Sequence, residues 1–327
     1  MALHDDFLAR RPDNTGVIRH RRFEELWATL DLCLRLSQDE DEPQCMAIEA
    51  MAGAGKTTFA KEIIRAFPRR EEKEGTYMPV FYVETPSPIT VLQMSETMLK
   101  QLGDPAFDRG KQASKNGRIV DLMHDCDVGL IILDDLHHLI STDTTHVLTS
   151  IASWLKVLIK ESNIPVLVLG VMGELDRILN VKEDHGQLAR LFNARETLHP
   201  FAWNPGDVQT VQEFGKFVRD AEKVIGMRIV RIGGGMTTAE IGRADLFGRI
   251  HFATGGVVSH AMNLLRMARE QARIRGSDEI DLVDLSAAFT QRLAPLFPSK
   301  INPFAVDPPS QTRTDGSDPS GDNDGRP

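Results

Sequence analysis

Hydrophobic and polar positions along this chain fall into two textures, and the change between them comes near residue 203. Before it, short apolar runs alternate with stretches of helical periodicity. The runs lie at residues 45–49, 80–83, 130–133, 166–169 and roughly 196–199. Those at 45–49, 130–133 and 166–169 are almost continuously apolar, the pattern of strands covered on both faces. Helical spacing fills the intervals, most plainly over 145–161. An amphipathic helix precedes the first run, with Phe23, Leu26, Trp27, Leu30 and Leu34 on one face. Such alternation predicts a parallel sheet with helices on both sides. Beyond Pro205 the strand signals fade, and helical patterns run over 207–224, 238–253, 256–275 and 282–294. From Pro298 the chain is rich in Pro, Ser, Gly, Asp and Asn, which predicts an unfolded tail. The expected division is a basic segment with its helix at 1–44, an α/β core at 45–203, a helical subdomain at 204–297 and the tail at 298–327.

The junction of the first strand and the next helix carries the strongest chemical signal. Residues 50–57 read Ala-Met-Ala-Gly-Ala-Gly-Lys-Thr. Strand, glycine-bearing turn and helix start together aim several backbone N–H groups at one point, which favours a bound phosphate. Ala52, Gly53, Ala54, Gly55 and Thr58 supply the loop. Lys56 has the reach for β- and γ-phosphates, and the Thr57 hydroxyl is suited to Mg²⁺. Ala50 stands where such loops carry their first glycine. A phosphate loop needs a carboxylate for its metal, and Leu130-Ile131-Ile132-Leu133-Asp134-Asp135 ends an apolar strand in two acids. Asp134 is the expected Mg²⁺ partner and Asp135 the group that polarises the attacking water. An aspartate there is one methylene shorter than the usual glutamate, and ~1 Å of misplacement costs ~100-fold in rate. Nucleotide binding is thus a safer expectation than brisk hydrolysis.

Other candidates carry two readings each. Arg190, in a helix after the fourth strand, is either a finger reaching a neighbouring subunit's γ-phosphate or a sheet-edge arginine; Arg195 has a weaker case. His137 and His138 are a switch or metal pair, or polar helix-start residues. Arg266, Arg269, Arg273 and Arg275 form a partner surface or a solvated helix face. The triple glycine Gly233, Gly234 and Gly235 reads as a loop. The formal charge is −9, which excludes a general basic coat, so any DNA contact must be local. The connector with Lys111, Lys115 and Arg118 is the best basic stretch, as a DNA grip or simply an exposed loop.

The three cysteines, Cys33, Cys45 and Cys126, show no paired spacing and read as reduced thiols. The longest apolar run, near 164–172, is far short of the ~20 residues a membrane helix needs. With no N-terminal signal pattern, a soluble, cytoplasmic protein with no membrane partner is expected.

With these residues in view, the chain resembles the TniB/TnsC family of AAA+ ATP-binding regulators of DNA transposition, from about Arg22 to Phe304. The resemblance rests on the loop at 50–57 and on the segment at 130–139 with its Asp-Asp-Leu-His-His-Leu ending. Residues 166–170, 174–177 and 187–192 add to it, as do Thr254-Gly255-Gly256, Asn263-Leu264-Leu265 and Asn302-Pro303-Phe304. It implies an α/β fold with an AAA+ P-loop core, a parallel five-stranded sheet and a C-terminal helical lid. It implies ATP and Mg²⁺ as cofactors and a homo-oligomer, ring or helical filament, around double-stranded DNA. The partners would be a DDE-type transposase and a TniQ-like target-selection protein, with ATP turnover dissolving the assembly. Lys111, Lys115 and Arg118 would fall on the DNA-facing wall. His260 would contact the nucleotide where the lid often carries a sensing arginine, and Val171 lacks the polar side chain that often senses γ-phosphate. With Ala50 and Asp135, these departures imply a weak ATPase. A non-hydrolysing ATP-gated scaffold and a helicase loader are the alternatives.

Overall fold

The computed structural model describes residues 3, 7–10, 16–39, 41–73, 75–85, 90–140, 145–182, 186–230 and 246–305. Helix α1 (Arg21–Asp39) leads into strand β1 (Met46–Ala50) and helix α2 (Lys56–Ala66). A small hairpin, β2 (Arg70–Glu72) and β3 (Gly75–Tyr77), precedes β4 (Val80–Glu84), α3 (Val91–Leu102) and α4 (Gln112–Asp125). Then come β5 (Leu130–Asp134), a 3-10 turn at Leu136–Leu139, α5 (Thr145–Ser162), β6 (Val166–Val171), α6 (Glu174–Leu179), α7 (Gln187–Leu191) and β7 (Ala194–Leu198). The five long strands form one sheet in the order β4-β5-β6-β1-β7, with every pairing parallel.

Alternation along each strand sends successive side chains to opposite faces. Cys45, Ala47, Ile131, Leu133, Val166 and Val168 enter the core beneath α3 to α6, where Met98, Ile119, Leu155 and Ile178 meet them. Met46, Ile48, Ala50, Leu130, Ile132, Leu167 and Leu169 enter the opposite core, closed by Leu26, Trp27 and Leu30 of α1 and by Phe59 and Ile63 of α2. Both faces of the three inner strands are covered, which is why β1, β5 and β6 read as nearly unbroken apolar runs. The strand order reverses between β1 and β6, and α/β sheets bind ligands beyond the strand ends at such a switch.

The lid is built from α8 (Val208–Ile225), α9 (Leu246–Thr254), α10 (Val258–Arg275) and α11 (Leu282–Arg292), with a short parallel pair of β8 (Arg228–Ile229) and β9 (Glu279–Ile280). Phe214, Phe217, Leu264, Leu265 and Phe289 lie in a third core of its own. Core and lid meet where the Phe201 N–H donates to Gly256 O at 2.9 Å. Gly256 has φ +71, and a Cβ there would stand 2.1 Å from Phe201 O, so the junction demands glycine.

The stretch expected to be tail from residue 298 is packed as far as Ala305. Phe304 is fully buried in the lid core, Asn302 Nδ2 donates to Ser286 O at 3.1 Å, and Arg249 donates to Pro303 O at 3.1 Å. One aromatic side chain with a waiting pocket outweighs the polar composition around it. The rest of that tail, 306–327, the triple glycine and the first half of the helix expected at 238–253 lie outside the described residues.

Candidate nucleotide-binding site

The phosphate loop turns between the end of β1 and the start of α2. Gly53 (φ +80) and Gly55 (φ +113) occupy the left-handed region, and Gly55 caps α2 without a side-chain hydrogen bond. The first amides of that helix are therefore left for a ligand. Gly53 is constrained twice: a Cβ would stand 2.1 Å from Ser259 Oγ on the lid, whose N–H donates to Gly53 O at 3.0 Å. Lys56 is only 8% exposed, and its Nζ donates to Ala50 O at 3.1 Å. Burial lowers its pKa, opposed by the charges of Asp135 and Asp134. Among the described residues it has no ion pair. A buried ammonium answered by one carbonyl is a charge that polyphosphate would compensate.

Thr57 and Asp134 come together across the sheet. Thr57 Oγ1 donates to Asp134 Oδ2 at 2.8 Å, Tyr82 Oη donates to the same oxygen at 3.0 Å, and the Asp135 N–H holds Oδ1 at 2.9 Å. Burial and the Asp134 carboxylate raise the Tyr82 pKa, so its phenol stays a donor. A hydroxyl and a carboxylate at the end of β5, both hard oxygens beside the phosphate loop, fit Mg²⁺ with phosphate and water oxygens completing its shell. Bound there, the ion would neutralise and orient the phosphates. Asp135 follows at φ +54, a left-handed conformation uncommon for a residue with a side chain.

A cleft of about 570 Å³ opens over these groups. Asp135, His137, His138 and Val171 line its polar end, whereas Val17, Ile18, His20, Phe23, Leu198 and Val258 line an apolar end suited to a nucleobase. His20 is held neutral by burial, its pKa pushed down to about 4 against the pull of Glu213 and Glu25. Nothing local in the sequence marks Val17, Ile18 or His20, since they reach the cleft only through the path of the chain before α1.

The lid presents Ser259, Met262, Asn263 and Arg266 to the cleft, one face of α10 at helical spacing. His260, expected to contact the nucleotide, lies one position round that helix and does not line the cleft. Its Nδ1 sits 3.3 Å from Thr254 O and its ring meets the Phe297 ring at 5.3 Å. Counting i, i+3, i+4 and i+7 from Ser259 would have found the correct face.

The expected DNA-contacting residues separate. Lys111 is exposed at the start of α4. Lys115 is fully buried, paired with Glu96 at 3.1 Å and donating to Phe107 O at 2.8 Å, so its reading as a DNA contact is corrected: it is an internal strut between α3 and α4. Arg118 is held by Asp104 at 3.3 Å and by the carbonyls of Ala106 and Arg109. Arg190 is 65% exposed and binds Glu42 at 2.8 Å. It lies just before β7, where Leu191 O accepts from the Cys45 N–H, at the sheet end opposite the phosphate loop. Arg195 bonds Asp176 and Asn180, each at 3.1 Å. Among the described residues no cluster of His, Cys, Asp and Glu is arranged to hold a metal by itself. No described helix is long and apolar enough to cross a membrane.

The sheet order, the phosphate loop after β1, the paired acids after β5 and the helical lid define an AAA+ P-loop protein. Solved structures share that architecture. Cdc6p from Pyrobaculum aerophilum superposes with a TM-score of 0.58 at 15% identity, over 87% of this chain and 71% of its own. The Aeropyrum pernix ORC2 protein, in ADPNP–ADP complexes, gives 0.56 at 15% identity, over 86% and 70%. The Aeropyrum pernix ORC1 protein in complex with DNA gives 0.51 at 14% identity, over 86% and 68%. No curated protein sequence matches the chain. The family described as TniB, bacterial TniB protein, matches residues 10–200, and the chain belongs to that family.

Proposed function

We propose that this TniB-family protein is an ATP-dependent, DNA-binding regulator of transposition and a slow ATPase. The observation that carries the proposal is the convergence of buried Lys56, which has no ion pair among the described residues, with the Thr57–Asp134 contact at the mouth of a cleft of nucleotide size. ATP lies with its phosphates on the amides of residues 52–58 and its base at the apolar end. Slow turnover is supported by the short Asp135 side chain and by apolar Val171 at the polar end. Arg190, at the far end of the sheet from its own phosphate loop, serves a neighbouring subunit's site, which fits a homo-oligomer assembled through ATP. Exposed Lys111 is the DNA contact retained from the connector. A DDE-type transposase and a TniQ-like target-selection protein are the partners that the resemblance implies, with hydrolysis dissolving the assembly.

Electron microscopy of the protein with duplex DNA, with and without a non-hydrolysable ATP analogue, tests this. Rings or filaments that need both DNA and the analogue are expected; monomers under every condition would contradict the proposal. The other reading, a scaffold gated by ATP that never hydrolyses it, is favoured by the left-handed Asp135 backbone and its short side chain. Phosphate release with and without duplex DNA separates the two.

A further inference from the structure

His137 lines the cleft without a part in holding phosphate or Mg²⁺. The residue lines the polar end of the cleft on the 3-10 turn that follows Asp135. Its Nδ1 is fully enclosed and, among the described residues, has no hydrogen-bond partner. Asp135 Oδ1 stands 3.9 Å from it, too far for a hydrogen bond in this state. With Nδ1 enclosed on the Asp135 side, Nε2 is the nitrogen left for the cleft. Catalytic hydrogen bonds are often long in ligand-free sites and tighten when substrate binds.

We propose that Asp135 and His137 act as one unit, with His137 as the base that meets the attacking water and Asp135 as the carboxylate that orients it. This rests on the reading that the cleft binds and hydrolyses ATP, and it deepens that reading. A carboxylate one methylene too short for the water regains its reach through an imidazole. In the step, the water oxygen forms a bond to the γ-phosphorus while the bond to the β–γ bridging oxygen breaks. The electron pair leaves with ADP, and the water proton passes to His137 Nε2 and then to the released phosphate. Asp135 accepts the Nδ1 proton in a hydrogen bond and so selects the tautomer whose Nε2 lone pair is free. The groups facing the imidazole suit a base. Burial, His138 and Lys56 lower its pKa, against Asp135 and Glu174, so the ring is neutral at pH 7. The left-handed backbone at Asp135 is the local distortion that sets its carboxylate beside this ring.

The test measures turnover and binding side by side. Phosphate release from Mg²⁺-ATP in the presence of duplex DNA is followed for the wild type, His137→Ala, His137→Gln, Asp135→Asn and the double variant. Calorimetry with a non-hydrolysable ATP analogue is run on each, and thermal melts check folding, with His137→Gln as the variant that keeps the side-chain volume. Each single substitution is expected to lower kcat by about a hundredfold with analogue affinity unchanged. The double variant should be no slower than the worse single one, because the two act together. The acid limb of the wild-type pH profile should vanish in His137→Gln. Wild-type kcat in either His137 variant, additive losses in the double variant, or a wild type that binds the analogue without turnover would each overturn the proposal. A wild type that does not bind the analogue would instead remove the nucleotide reading beneath it.

Discussion

Two buried lysines, one in the phosphate loop and one in α4, show how differently the same side chain is used. Lys115 is fully buried and fully answered: Glu96 supplies the countercharge and Phe107 O a further acceptor. Lys56 is nearly as buried, but a single backbone carbonyl receives its ammonium. A buried charge is expensive unless paired. The first lysine therefore belongs to the fold, while the second is poised for something the protein itself does not contain. Lysine density in that stretch of sequence suggested a DNA contact for Lys115 instead.

Substitution should split the pair cleanly. Lys56→Ala removes the cation that meets the β- and γ-phosphates and should weaken ATP binding by about a thousandfold, roughly 4 kcal/mol, abolishing assembly while leaving the melting temperature unchanged or raised. Titration calorimetry and thermal melts read both effects, and intact assembly would show that ATP is not the trigger. Lys115→Ala should do the reverse. Stranding Glu96 beside an empty pocket costs about 3 kcal/mol, at the low end of such losses because Glu96 is partly exposed, and nucleotide affinity should hold. A variant as stable as the wild type in urea would refute the strut.

His20 extends the comparison to a third basic group, half-buried and kept neutral. Its folded pKa of about 4 lies below the unfolded value near 6.5, so between these values the unfolded chain binds more protons than the folded one. Stability should be unaffected by His20 above pH 6.5 and should fall as pH drops from 6.5 towards 4, by up to a few kcal/mol. Urea unfolding of the wild type and His20→Phe across that window checks the sign; parallel curves would contradict it. The smallest effect belongs to Lys111→Glu, which should weaken duplex DNA binding several-fold and flatten its salt dependence with no change in melting temperature. Unchanged DNA affinity would rule out the connector altogether.

Legibility followed the distance over which each feature is decided. The phosphate loop could be read because its parts adjoin: the strand, Gly53, Gly55 and Lys56 occupy one short stretch. The core strands could be read because coverage on both faces leaves continuous apolar runs. The hairpin at 70–77 could not, since its strands are three residues each, one of them all charged and the other Gly-Thr-Tyr, with no apolar run to mark either. His260 was misassigned because a single position round a helix separates the cleft from Phe297. Lys115 was misassigned because Glu96 lies on another helix, and Phe304 because its pocket is assembled by the whole lid. The apolar end of the cleft draws on residues 17, 18, 20, 23, 198 and 258, which nothing short of the fold unites.

The central claim is that a Mg²⁺-bound nucleoside triphosphate occupies the cleft between the phosphate loop and α10. Calorimetric titration of the full chain with a non-hydrolysable ATP analogue, with and without Mg²⁺, and of Asp134→Ala under the same conditions, addresses it most directly. The expected result is one site per chain whose affinity falls sharply when either the metal or the Asp134 carboxylate is withdrawn. Absence of binding by the wild type, or binding indifferent to both, would contradict the account.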